Sequence, residues 1–373
     1  MVVIPPTGGG GGSNAGGNVV SNFRPQSPSI GQIWTDPNTG RREVWTGDGW
    51  ETVSEGSVTN IFGSGKDGSL VVSANLTLDF NGQDVLVKEY ENLFIKSGFT
   101  LDATGVPANG GLLIIRVKTS VTWEGTLDLS DLGSDGGAAN QLVLGAGQSD
   151  QEAGNAGIAP FNAFGELRAG QGGRTSRTGG SSASGGGGGA STIEDGTIGN
   201  ASNIPSDSGA TNSAGGPAGV KITDAADVLA GSAVGIAIGP SGGGGAGGVS
   251  GFADTSSTIT SGAGGKGGGS LYITCGGNFI FASGATLDLT GADAGNGSTT
   301  QGGGKTEAAA GGGGGGGGGV GVAIVRGDIT DDGSTSLAGG NAGTRSVITA
   351  GGGVAEASDG GAGATGKWLV VRG

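Results

Sequence analysis

Short β-type runs recur along the chain, set between turns of glycine and asparagine. Between residues 66 and 130 they fall at 70–72, 76–78, 85–87, 93–95 and 112–117, with turns at Asn81-Gly82 and Asn109 to Gly111. Alternating or β-branched runs at this spacing predict strands, and regular strands with turn signals predict a sandwich, a barrel or a β-solenoid. No comparable stretch carries a helical period, so almost no helix is expected.

Three longer segments repeat one unit. Residues 110–129, 268–289 and 319–337 each open on glycine, run through a strand, turn, form a second short strand, and close on a Thr-Leu-Asp-Leu signature or its relic. The signature is Thr126 to Leu129 in the first copy and Thr286 to Leu289 in the second. A weaker copy covers 97–102, residues 366–372 repeat the first strand alone, and 230–239 reads as a degenerate copy. Units that cannot bury their own apolar face must stack on one another. A solenoid-like stack, or strands shared between subunits, is the expectation.

Between the repeats lie long glycine-rich excursions, at about 131–219, 239–267, 291–318 and 338–365, and most of the 93 glycines are beyond residue 130. As loops these are too long for a compact domain. They are either flexible displayed loops or extended polyglycine helices packed backbone to backbone. The second arrangement resembles the glycine-rich adhesins at the tail-fibre tips of T-even-like phages, in which stacked polyglycine II helices carry variable receptor-contacting loops. That resemblance is one of composition.

The N-terminal part reads differently. Residues 1–30 are rich in Pro, Gly, Ser and Asn with small apolar islands, and form either a disordered tail or an arm that orders on a neighbouring subunit. Residues 31–53 then read GQIWTDPNTGRREVWTGDGWETV, with turns at Asp36 to Gly40 and Gly47 to Gly49. This predicts a small β-meander pinned by Trp34, Trp45 and Trp50. It resembles a module found repeatedly in tailed-phage structural proteins, chiefly tail fibres. Its pattern is Gly-x-apolar-Trp-x-Asp, a turn, a basic pair, apolar-Trp, then Gly-x-x-Trp. The resemblance implies a folding or connector element, with the three tryptophans at the particle-attachment end.

Composition removes several classes of function. The chain has 373 residues, no histidine and one cysteine, Cys275. Ser-His-Asp and Cys-His catalysis and every His-based metal site are therefore excluded, as is any disulfide within the chain. Net charge is −14 with no basic cluster, which argues against nucleic acid as a partner. No run approaches the roughly 20 apolar residues of a membrane span. The N-terminus lacks the pattern of a secretory signal, so the protein is expected to leave the cell in a particle released by lysis.

The glycine runs contain no complete phosphate-binding loop, and Gly302 to Thr306 only imitates its end. Acidic neighbours Asp128 and Asp131, Glu194 and Asp195, and Asp331 and Asp332 could form a glycosidase pair, or simply be solvated turn carboxylates. Asp328 to Ser334 lacks the ligand spacing of a calcium loop and reads as a turn. Aromatic and arginine side chains in the excursions suit recognition of a glycan or a protein. Phe161, Phe164, Arg168, Arg174, Arg177 and Phe252 are the receptor-contact candidates, with local packing of the excursions as the other reading.

The sequence thus predicts a mostly β protein, solenoid-like or a trimeric β fibre, with glycine-rich, polyglycine II segments. The expected divisions are an arm (1–30), a tryptophan module (31–55), a β domain (56–130) and a glycine-rich repetitive β region (131–373). By resemblance it is a phage virion protein, a tail fibre or receptor-binding adhesin. It would form a homotrimer, join other virion proteins through its N-terminal region, and bind a host surface glycan or outer-membrane protein. Neither nucleic-acid binding nor membrane insertion is expected, and no catalytic residue, metal or cofactor. A capsid decoration or head-fibre protein and a tailspike depolymerase are the alternatives.

Overall fold

The computed structural model describes residues 18–20, 25, 33–35, 42–45, 50–53, 60–159, 169–176, 181–191, 195–202, 215, 241–253, 256–300, 306–350 and 354–372. The chain divides into two compact units, Met1–Phe62 and Gly63–Gly373. Strands dominate, and among the described residues the one helical element is the single turn Asn60–Phe62. The mostly β expectation holds, with parallel sheets as its main component. The expected division at 130 does not separate two bodies. Leu112–Trp123 and Thr126–Asp128 pair directly with strands beyond residue 270, so both sides share the same sheets.

In the first unit, Ile33–Thr35, Arg42–Trp45 and Trp50–Val53 form the antiparallel meander that the tryptophan pattern predicts. A fourth strand, Asn18–Val20, lies parallel on Ile33–Thr35, so this apolar island of the N-terminal segment belongs to the sheet.

The second unit begins with two parallel sheets. One runs, from neighbour to neighbour, through Leu70–Val72, Val85–Ile95 and Leu112–Trp123. From Leu112–Trp123 it continues to Ser270–Cys275, Val320–Val325 and Lys367–Arg372, with Phe279–Phe281 and Ile329–Asp331 alongside. The other runs through Leu76–Asp79, Thr100–Thr104, Thr126–Asp128, Thr286–Asp288 and Ser334–Ser336. Each sequence repeat gives strands to both sheets, and the signatures stack in register: Leu101, Leu127 and Leu287 are side by side and buried. Leu113, Ile115, Leu271, Ile273, Phe279 and Phe281 join them in one core. Trp123 caps it, fully buried, with its ring centroid 4.6 Å from that of Phe281.

The glycine-rich segments leave and re-enter this stack and pack on one another. Along 311–319 the hydrogen-bond acceptor changes at every residue and recurs at every third. The N–H groups of Gly311, Gly314 and Gly317 donate to Gly248, Gly245 and Gly242. Those of Gly312, Gly315 and Gly318 donate to Ser358, Gly361 and Ala364, and those of Gly313, Gly316 and Gly319 to Gly295, Ala292 and Leu289. The carbonyls accept from three further segments: Gly311, Gly314 and Gly317 from Gly262, Gly265 and Gly268; Gly312 and Gly315 from Gly186 and Gly189; Gly313 and Gly316 from Gly343 and Gly340. Three of the six neighbours run with 311–319 and three against it. Segment 241–248 is surrounded in the same way, by 134–137, 155, 170–173, 184–190, 262–268 and 311–317.

A period of three with no bond inside the segment is the geometry of an extended helix of three residues per turn. Glycine is required there for the space it leaves. None of the nine glycines of 311–319 has a positive φ. A Cβ added at any of them would come within 3.0 Å of a neighbouring backbone carbonyl. Of the two readings of the excursions, packed backbone describes these segments.

Gly314→Ala forces a Cβ into the Gly187 carbonyl, a rigid backbone group. We expect it to lower stability by about 3 kcal/mol or more, because a fixed backbone relaxes less than an overpacked side chain. Gly98→Ala, at φ 82 with open space around it, is expected to cost only the roughly 1–2 kcal/mol of a left-handed residue. Thermal unfolding of the two variants measures the difference.

Candidate functional site

The lattice has two ends. Segments 311–319 and 358–366 run directly into Val320–Val325 and Lys367–Arg372 of the parallel stack, and 261–269 into Ser270–Cys275. At about 3.1 Å per residue for such a helix, nine residues carry the chain roughly 28 Å from the stack. At that far end it turns back through antiparallel strands.

The far end has three layers. The central sheet is Gln148–Glu152, Val249–Ala253, Thr306–Ala310 and Ser346–Ala350. On one face, Gln141–Leu144, Ser257–Thr260 and Ser298–Thr300 form a second sheet. On the other are Thr175–Ser176, Ser181–Ala183 and Ala355–Ala357. Alternation along Thr306–Ala310 explains the small residues. Ala308 and Ala310 pack with Leu142, Leu144, Val249 and Ile259, while Ala309 turns the other way onto Ala183 and Ala357. A side chain on Gly251 would strike Ile259 and Leu144. Small residues let the three sheets lie close.

The structure distributes the sequence candidates unequally. Arg174 is exposed at this end, at the start of the strand Thr175–Ser176. Its N–H donates to Ser184 Oγ at 2.6 Å, and the Ser184 hydroxyl donates back to the Arg174 carbonyl. Phe252 is half-buried in the central sheet, between Ser149 and Glu307 in register. Phe161, Phe164, Arg168 and Arg177 lie outside the described residues. The residues flanking 160–168 leave and rejoin the lattice near the stack: Gly157 bonds Gly170, and Ile158 bonds Asp135. In the first unit, Trp50 meets both Trp34 and Trp45, at centroid distances of 6.4 and 5.7 Å. Trp34 is buried and the other two are half-buried.

Exposed apolar side chains of the far end were not singled out from the sequence. Val143 is 67 % exposed and Val347 37 % exposed. The alternating runs QLVL and SVITA inside the glycine-rich region were the signal for both. A groove of about 520 Å³ runs beside the second, lined by Arg345, Val347, Thr349, Val354, Ala355, Glu356 and Ala357.

The acidic pairs have individual settings. Asp331 accepts a hydrogen bond from Trp368 Nε1, and Asp332 is beside it in an exposed turn. Asp328 pairs with Arg372 at the surface. Glu194 lies outside the described residues. Among the described residues no group of three or more His, Cys, Asp or Glu is placed to hold a metal ion. Cys275 is buried, its Sγ near the Gly277 and Asn278 carbonyls, and burial raises its pKa.

Asp131 is at the junction of stack and lattice, exposed at the surface but partly desolvated by its neighbours, and in the left-handed region at φ 56. Burial raises its pKa; Lys266 opposes this, and Asp128, Asp288 and Asp293 add to it. A raised folded-state pKa gives a contribution that is full below the unfolded value near 3.8 and lost as pH rises through the folded value. Asp131→Asn tolerates the same φ. We expect it to raise the melting temperature at pH 7, with the gain over wild type closing as pH falls below 4. For the far end, Ala309→Leu overfills the space between two sheets, at an expected cost of about 1–3 kcal/mol, read from a denaturant midpoint.

No family model, no curated protein and no solved structure matches the chain.

Proposed function

We propose that the chain is a structural protein of a tailed-phage particle, a tail fibre or receptor-binding adhesin that acts by binding. The observation that carries this reading is the gathering of the excursions' return strands at one end of a rigid lattice. Five pairs of successive strands lie at the end away from the stack: Gln141–Leu144 with Gln148–Glu152, Thr175–Ser176 with Ser181–Ala183, Val249–Ala253 with Ser257–Thr260, Ser298–Thr300 with Thr306–Ala310, and Ser346–Ala350 with Ala355–Ala357. A scaffold that fixes its backbone and gathers its strand ends in one place is suited to recognition, because function concentrates in loops held by a rigid frame.

In this reading the parallel stack is a β-solenoid and the lattice a polyglycine II bundle, as the resemblance to glycine-rich adhesins implies. The tryptophan module joins the particle, and three copies assemble into the fibre. Several weak contacts per particle then sum through effective concentration.

Immunogold electron microscopy of purified particles, with antibody raised against residues 131–373, tests this. Gold at the tail tip or along fibres is the expected result. Gold over the head would assign the chain to capsid decoration instead.

A further inference from the structure

The central sheet of the far end has two outer strands, and they differ. Gln148–Glu152 is exposed throughout and carries Asp150 and Glu152, charges of the kind that keep an open edge from pairing with other chains. Ser346–Ala350, on the other side, pairs only with Thr306–Ala310 among the described residues and has no charge, proline or glycine. Its side chains alternate: Ile348 packs inward against the small apolar core, while Val347 and Thr349 line the groove. The opposite wall is Ala355–Ala357, the outer strand of its own sheet. Among the described residues, two open strand edges therefore border one groove.

We propose that this groove docks an extended, uncharged polypeptide segment, which adds to the free edge of Ser346–Ala350 as a fifth strand. The free N–H and C=O groups of a strand edge are matched by another main chain. The lining of Val347, Thr349, Val354, Ala355 and Ala357 accepts small apolar or β-branched side chains at alternate positions. It offers no aromatic face for a sugar ring to stack on. Arg345 and Glu356 place one charge of each sign in the lining, which suits a segment without net charge in a chain that is otherwise strongly acidic. The Arg345 guanidinium also donates to the Ala357 carbonyl at 2.8 Å, tying the two walls together. Naming that segment as part of a host surface protein rests on the adhesin reading.

The test uses the labelled full chain on cells of the bacterium the particle infects, left untreated, shaved with protease, or oxidised with periodate. Variants are Val347→Lys and Thr349→Lys on this edge and Val143→Lys on the other exposed strand, each checked for an unchanged melting temperature. Binding is expected to fall at least about tenfold after protease and to survive periodate. Either edge variant should weaken it about tenfold, equivalent to 1.4 kcal/mol, and Val143→Lys should bind as wild type. Edge variants that bind like wild type, a loss at Val143→Lys equal to theirs, or binding that resists protease and disappears with periodate would overturn the docking site and leave the adhesin reading standing. A wild-type chain that fails to bind untreated cells overturns both.

Discussion

The fold of the second unit depends on how closely backbones can approach when no Cβ stands between them. In 311–319 every N–H leaves the segment, and successive ones point to three different neighbours. Each neighbour must lie within one hydrogen bond of the axis, and a single methyl group would occupy that space. Glycine is the residue that loses most conformational entropy on ordering. The lattice offsets that cost with a density of backbone hydrogen bonds that side-chain packing would preclude, each worth about 1 kcal/mol net.

The parallel stack supplies the order in which the segments meet. Segments 262–268 and 358–364 flank 311–319 in the lattice. Their continuations, Ser270–Cys275 and Lys367–Arg372, flank Val320–Val325 in the sheet. Neighbours in one are neighbours in the other, because both spacings are set by one N–H to O=C bond. The apolar core of the stack, with Trp123, Phe279 and Phe281 at one side, thus determines the register of segments that have no side chains with which to choose partners. The same continuity delivers the chain to the far end, where Ala308, Ala309 and Ala310 take over the close packing.

Much of this was legible in the chain. The Thr-Leu-Asp signatures at Thr126 and Thr286 predicted repeats that stack, and Thr126 pairs with Thr286 in register. The tryptophan spacing predicted the meander of Ile33–Thr35, Arg42–Trp45 and Trp50–Val53. The division expected at residue 130 did not survive, because composition changes there while strand pairing does not. The candidate contacts were chosen by residue type, which selects aromatics and arginines wherever they fall. Residue type does not mark Val143 and Val347, because a valine is conspicuous only once its surroundings are known.

Residue by residue, then, the sequence determined what each segment can do: where strands form, where repeats recur, which tracts leave room for a neighbouring backbone, and which chemistries the absence of histidine removes. Tertiary structure alone decided which tract lies beside which, and which strands are left open at the far end. Polyglycine carries no partner information of its own, since one glycine segment bonds equally well to any other. Its neighbours are fixed only where the chain enters and leaves the lattice, by the apolar side chains of the stack.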